Sequence, residues 1–321
     1  MRAVQVSRLN GPGALEEVDI AEPEAGPDQV LIDVEAAGVA WPDLLQTRGL
    51  YQIRPEPPFV SGSEVAGRIR WAPEGSGFVP GQRVAALTGG HAWQETTTAP
   101  VGQTFAIPDG LSSPAAAGVL LNYLTMHFAF RKRTVLQPGE VVLVHGASGG
   151  IGEASLILAR AWGARTIAVV STEAKAASAR RVGADEVIRA EGFKDAARQL
   201  TDGRGVDVVV DPVGGDRFTD SLRSLAGEGR LLVIGFTGGE IPTVKVNRLL
   251  LNNVSVTGVA WGEYVWRTPG YVAEQWAELE PLIASGSVVI PEAATYPLAQ
   301  ARDVLAAMEA RTLIGKAVLV P

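Results

Sequence analysis

The residues best suited to chemistry lie in one run, 141–163, which reads VVLVHGASGGIGEASLILARAWG. Gly146, Gly149, Gly150 and Gly152, with Ala147, Ser148 and Ile151 among them, give the spacing G-x-x-G-x-x-G. A turn without side chains lets the backbone approach a pyrophosphate, and a helix beginning there aims N–H groups at the anion. The flanks supply the rest of that arrangement. Val141 to Val144 are apolar and uncharged, as in a strand buried on both faces. Ile151, Ala154, Leu156, Ile157, Leu158 and Ala161 make an apolar helix face, and Gly163 is a helix stop. Strand, glycine turn and helix together predict the opening unit of a dinucleotide-binding domain.

Such a turn has to be held by a sheet, and the chain after Glu140 supplies one. Strands are expected at 141–145, 165–170, 186–189, 206–211, 229–235 and 253–258, with helices at 150–162, 173–182, 193–201 and 216–225. That alternation predicts an α/β fold with a doubly wound parallel sheet. Ahead of it, short strand candidates at 3–6, 30–36, 63–70 and 83–87 are separated by Gly- and Pro-rich turns, the pattern of a partly open β-barrel. Residues 44–47 and 114–130 read as helical. Past Gly262, helices over 271–285 and 297–309 and a strand over 316–320 return to the first domain. The expected division is a discontinuous β-rich substrate domain, 1–119 with 263–321, and an inserted cofactor domain, 120–262.

Composition excludes several classes. The 321 residues suffice for two domains with substantial cores. A net charge of −7 argues against general nucleic-acid or anionic-membrane binding. The longest apolar patch, 119–130, is broken by Asn122, Thr125 and His127 and is too short to span a bilayer. With no signal-like apolar segment ahead of the first strand, the expected compartment is the cytoplasm. There is no cysteine, so disulfides, thiolate zinc ligands and a cysteine nucleophile are excluded. His91, His127 and His145 lack metal-ligand spacing, and no Ser-His-Asp or paired-carboxylate constellation points to hydrolysis.

Five segments taken together carry a family resemblance: 38–51 (GVAWPDLLQTRGLY), 62–67 (GSEVAG), 138–152 (PGEVVLVHGASGGIG), 233–235 (VIG) and 249–262 (LLLNNVSVTGVAWG). Over nearly the full chain they resemble the zinc-independent quinone oxidoreductase (zeta-crystallin-like) branch of the medium-chain dehydrogenases/reductases. The resemblance implies a Rossmann cofactor domain inserted into a GroES-like, partly open barrel, with hydride transfer to a quinone or similar conjugated carbonyl. It also implies a homodimer joined through the edge strand of the cofactor sheet, and the alternation around Val254 and Val256 suits such an edge. Zinc-dependent relatives carry a histidine within G-H-E and a catalytic cysteine. Here the motif is Gly62-Ser63-Glu64, and no metal is expected. Ala40 and Leu45 stand where relatives often have asparagine and tyrosine, so a more apolar pocket is expected.

The cofactor follows from charge. The second strand ends Val169-Val170-Ser171-Thr172, with no acid at its tip to accept from a ribose 2′-hydroxyl. Small hydroxyls and the cation of Lys175 suit a 2′-phosphate instead. The resemblance gives Lys175 that role, so NADPH is expected, with Arg189 in support. Glu173 falls in the first turn of a helix, where acids are ordinary. By resemblance, Tyr123 and Thr125 approach the nicotinamide amide and ribose. Gly235 and Phe236 cover the ring, and Gly214 marks the turn after the fourth strand. Trp41, Tyr51, Trp261 and Trp266 offer faces for a planar conjugated acceptor in a substrate cleft. Tyr51 is the leading hydroxyl for protonating the product, with solvent as the alternative. The expected activity is NADPH-dependent quinone reduction, with enal, enone or enoyl-thioester reduction as the close rival. A nonenzymatic NADPH-binding sensor or structural protein is the alternative of a different class.

Overall fold

The structure, a computed structural model, describes residues 1–321. Contact density divides the chain into two units, Met1–Leu121 with Gly270–Pro321, and Asn122–Pro269. The first unit opens with β1 (Arg2–Val6), β2 (Leu15–Asp19), β3 (Gln29–Val39), α1 (Trp41–Thr47), β4 (Phe59–Val60) and β5 (Glu64–Trp71). It continues with β6 (Arg83–Leu87), β7 (Thr96–Pro100), β8 (Thr104–Ala106) and α2 (Ser113–Ala116). After α3 (Leu120–Phe128), the second unit runs β9 (Val141–His145), α4 (Gly150–Ala161), β10 (Arg165–Val170), α5 (Glu173–Arg181), β11 (Glu186–Arg189) and α6 (Phe193–Gln199). Then come β12 (Val206–Asp211), α7 (Phe218–Ser224), β13 (Leu225–Val233), α8 (Asn247–Asn252), β14 (Ser255–Gly258) and α9 (Trp261–Arg267). The first unit closes with α10 (Tyr271–Ala284), β15 (Ala294–Pro297), α11 (Ala301–Glu309) and β16 (Ala317–Val320).

In the first unit the long strand β3 organises a seven-stranded sheet, ordered β15-β16-β3-β5-β6-β8 with β7 also on β3, while β2-β1-β4 form a smaller sheet. Inward residues of these strands, among them Val30, Ile32, Ile69 and Val84, pack with the fully buried Trp93. The Trp93 indole N–H donates to the Gly38 carbonyl at 3.0 Å, which satisfies its one polar atom.

The second unit is a six-stranded sheet in the order β11-β10-β9-β12-β13-β14, all parallel. All five residues of β9 are buried, the apolar run 141–144 as a two-sided strand requires and His145 with it. β9 pairs with β10 on one side, Val141 opposite Arg165, and with β12 on the other, Val142 opposite Val208. The strand order reverses at β9, and in doubly wound sheets ligands bind at the carboxyl ends beside that reversal.

Several boundaries differ from the sequence expectation. The strand expected from 253 starts at Ser255, because Leu249–Leu251 belong to α8 and Asn253 ends that helix with φ 50°. Asparagine tolerates this left-handed conformation. The helix expected from 297 starts at Ala301: Pro297 completes β15, and a 3-10 turn, Leu298–Gln300, intervenes. α9 has no periodic signature. It is held by ring contacts, with Tyr264 5.0 Å from Phe128 and Lys132 5.0 Å over the Tyr264 ring. The Thr-rich β7 lacks apolar alternation, yet its threonines are buried against β3.

Candidate cofactor and active site

The predicted glycine turn lies at the carboxyl end of β9 and feeds directly into α4. Gly146 has φ 58°, which favours glycine, and its carbonyl accepts from the Gly149 N–H at 3.0 Å. A Cβ on Gly152 would meet the Gly146 oxygen at 2.2 Å and the Ala147 Cα at 2.5 Å, so the absent side chain lets the helix close on the turn. A Cβ on Gly150 would meet the Asn122 amide nitrogen at 2.3 Å. Gly149 differs, because the nearest atom to its would-be Cβ is the Gly146 oxygen at an ordinary 3.5 Å. It is the N-cap of α4, and no side chain caps the helix. The opening amides of α4 are therefore left to a ligand or to water, and the helix dipole favours an anion there. The cradle fits a pyrophosphate.

At the neighbouring strand tip, Thr172 caps α5: its hydroxyl oxygen accepts from the Lys175 N–H at 3.3 Å. A cap of this kind stabilises a helix by about 1 kcal/mol. The Lys175 side chain lies back over the strand tip, with Nζ 3.4 Å from the Ser171 hydroxyl. Glu173, the nearby acid, is held in ion pairs with Arg180 at 2.8 Å and Arg189 at 3.9 Å. These pairs hold its carboxyl below the usual range, with the Arg180 hydrogen bond the largest cause. The tip thus presents a hydroxyl and a cation, and its acid is screened by arginines. That donor set fits a phosphate monoester.

The loop after β13 is laid against the turn after β12. Thr237 and Gly238 donate to the carbonyls of Pro212 and Val213 at 3.0 and 2.7 Å. Gly214 has φ 66°, and a Cβ there would lie 3.0 Å from the Phe236 ring. Gly214, Gly235 and Phe236, predicted separately, therefore belong to one structure. Its anchor is Asp211, which sequence reasoning missed: Oδ1 accepts from the Val213 and Gly214 amides, both at 2.8 Å. Burial pushes the Asp211 carboxyl up, and Oδ2 is buried with no partner.

Tyr123 and Thr125 are both buried on α3. Two residues apart on a helix, they point to different sides. Thr125 shares its face with Asn122, the residue against Gly150, while Tyr123 lies in the field of Glu153. Burial, then Glu153, raises the Tyr123 hydroxyl above its ordinary range, so it stays a neutral donor. His145, which ends β9, is a structural residue. Nε2 is 2.8 Å from the Ser221 hydroxyl, its ring meets Phe193 edge-on, and burial pushes it down to about 3.

In the first unit, Trp41 opens α1 half-buried against the barrel core, and Tyr51 is half-buried in the turn beyond that helix. In the second unit, Trp261 is buried at the start of α9, whereas Trp266 is 85% exposed. Two residues on from Trp41, Asp43 belongs to a polar cluster that sequence reasoning also missed. Asp43 is fully buried, accepts from the Ala40 N–H at 2.7 Å and faces the Ser63 hydroxyl at 3.4 Å. Burial pushes its carboxyl up to about 7, against the pull of the Ala40 N–H and Lys316. Glu64 pairs with Lys316 at 2.6 Å and accepts from the Leu121 N–H at 2.9 Å. Gly62-Ser63-Glu64 is thus bound up in structural contacts. No group of three or more His, Cys, Asp or Glu side chains converges anywhere to hold a metal, and this donor set does not fit a zinc ion.

A glycine-rich turn at the reversal of a doubly wound sheet, carried in one chain with a second, β-rich unit, is the arrangement of a dinucleotide-binding dehydrogenase. Residues 26–132 match the alcohol dehydrogenase GroES-like domain, and residues 150–285 match the zinc-binding dehydrogenase domain. Quinone oxidoreductase-like protein 2 of Mus musculus is 34% identical over 322 residues, 99% of this chain and 91% of the relative. A mycobacterial protein solved with NADPH superposes with a TM-score of 0.92 at 35% identity, over 100% of both chains. Escherichia coli quinone oxidoreductase complexed with NADPH superposes with a TM-score of 0.91 at 28% identity, also over 100% of both. The chain belongs to the medium-chain dehydrogenase/reductase family, in its quinone oxidoreductase branch.

Proposed function

We propose that the protein is an NADPH-dependent oxidoreductase that reduces a quinone or similar conjugated carbonyl without zinc. The observation that carries this reading is the tip of β10, where Ser171 and Lys175 meet and Glu173 is paired with Arg180 and Arg189, one strand from the glycine turn. Bound there, NADPH would supply a hydride, and the acceptor would take a proton on oxygen or on its α-carbon. The chain's own part is binding and placement. The amides of residues 146–152 would hold the pyrophosphate, and Ser171, Thr172 and Lys175 the 2′-phosphate, with Arg189 alongside. Gly214, Gly235 and Phe236 would bound the nicotinamide, with Tyr123 and Thr125 as hydroxyl contacts. Trp41, Tyr51 and Trp261 are proposed for the acceptor, with the Tyr51 hydroxyl as proton donor.

Ala40 and Leu45 make the acceptor side apolar, which suits quinones, enals, enones and enoyl thioesters alike. The test is a screen of these acceptors with purified protein and NADPH under chelation, with products identified. Reduced quinone supports the reading; selective reduction of an enone or enoyl thioester moves the substrate to that class. No turnover with any of them, despite NADPH binding, points to a nonenzymatic role.

We further propose a cytoplasmic homodimer. β14 is the edge of its sheet, and Val246, Leu250 and Leu251 are exposed just before it. No helix is long and apolar enough to cross a membrane.

A further inference from the structure

Glu153 is an acid in the first turn of α4, the helix whose opening amides form the pyrophosphate cradle. It is only 4% exposed. Its own N–H donates to the Gly149 carbonyl at 2.8 Å, so its backbone is fixed to the cradle. Its carboxyl points to the adjacent helix: Oε1 accepts from the Ser178 hydroxyl at 3.2 Å, and that hydroxyl oxygen accepts from Arg181 at 3.2 Å. Ser178 and Arg181 lie on α5, whose first turn carries Lys175. One hydrogen-bonded chain therefore ties the helix of the glycine turn to the helix of the strand-tip cation. The charged or titratable groups facing Glu153 are Arg181 on α5 and Tyr123 on α3.

We propose that Glu153 is a positioning residue that makes cofactor affinity pH-dependent, its carboxyl weakening the hold on the pyrophosphate when it ionises. A carboxylate in the first helical turn interacts with the same positive dipole end that attracts the cofactor, so the two anions compete. Burial pushes the Glu153 carboxyl up to about 7, while the Ser178 hydrogen bond and Arg181 pull it down. The group is therefore neutral below that pH and ionised above it, and affinity falls as pH rises through it. The inference rests on the NADPH reading, since it concerns the same cradle.

The experiment is a fluorescence titration with NADH and with NADPH across pH about 5.5 to 8.5. NADH lacks the 2′-phosphate, whose own titration near pH 6 would overlap. NADH affinity should fall on the order of threefold across this range, and Glu153→Gln should flatten the profile. Glutamine keeps an oxygen for the Ser178 hydroxyl, so the helix contact survives. Ser178→Ala, which removes a contact favouring the anion, should move the midpoint to higher pH. A readout without cofactor is the thermal midpoint of the apoprotein. The raised carboxyl contributes stability at low pH that is lost as pH rises through about 7, and Glu153→Gln should make that slope shallower by its own share. Superimposable NADH profiles for wild type, Glu153→Gln and Ser178→Ala overturn the inference and leave the NADPH reading intact. No binding of either nucleotide at any pH overturns both.

Discussion

At the scale of single residues, cofactor choice rests on Lys175 and on what has been done with Glu173. An acid beside the phosphate site would repel a 2′-phosphate, but its pairs with Arg180 and Arg189 offset that charge. NADPH should bind at least about tenfold tighter than NADH, about 1.4 kcal/mol. Lys175→Ala should remove most of that preference while NADH affinity stays nearly constant; equal affinities in the wild type would contradict the assignment. Asp43 gives a second residue-level prediction. Its carboxyl is held up at about 7, chiefly by burial, so the native state keeps a proton that the unfolded chain loses from pH ~4 upward. The stability this contributes is present at low pH and disappears as pH rises through about 7. Asp43→Asn should make the fall of the thermal midpoint over that interval shallower, as read by calorimetry, with Glu153 accounting for part of what remains, and an unchanged slope would contradict it. Residues of this kind were not legible in the sequence. Asp43, Ser63, Glu64 and Lys316 meet only through strand pairing and long-range contacts, whereas Ser171 and Lys175 meet across one helical turn.

At the scale of elements, the glycine turn separates two kinds of glycine. A Cβ on Gly152 would enter the Gly146 carbonyl at 2.2 Å, so Gly152→Ala must push the helix off the turn. It should destabilise the protein by about 1–3 kcal/mol and abolish saturable nucleotide binding. Gly149→Ala meets only an ordinary contact, and its backbone, at φ −102°, suits alanine. It should keep the wild-type melting temperature and still bind NADPH more weakly, because the methyl occupies the approach to the cradle. Calorimetry paired with nucleotide titration separates these outcomes; equal behaviour of both variants would contradict the distinct roles. Strand, turn and helix were legible here because each signal is local. Gly214, Gly235 and Phe236 were recognised one by one, but their common anchor, Asp211, was not. Its role depends on a hydrogen-bonded turn and on a loop arriving from the next strand. The helix α8, whose end at Asn253 delays β14 to Ser255, was not legible in the leucines of residues 249–251, because three apolar residues carry no period of their own.

At the scale of the whole molecule, the order of the six parallel strands places β14 at the sheet edge, as the alternation around Val256 implied. If two copies pair there, both edges vanish across a twofold axis. Val256→Pro removes a backbone donor from that strand and should convert a dimer to monomers in light scattering. A monomer mass for the wild type at micromolar concentration would reject the assembly. That the sheet is parallel and doubly wound was readable because alternating strands and helices leave few topologies open. The structural polar contacts of the barrel were not readable, since they depend on side chains far apart in sequence.

If this chain transfers a hydride from NADPH to a conjugated carbonyl with no metal, protein, nucleotide and acceptor suffice for turnover. The most direct measurement is steady-state NADPH oxidation with a simple benzoquinone, on protein stripped by exhaustive chelation and checked by elemental analysis. Sustained turnover with NADPH, at least about tenfold less efficient with NADH and unaffected by added zinc, is the predicted result. Activity that disappears on chelation and returns with one zinc per chain would overturn metal-free transfer.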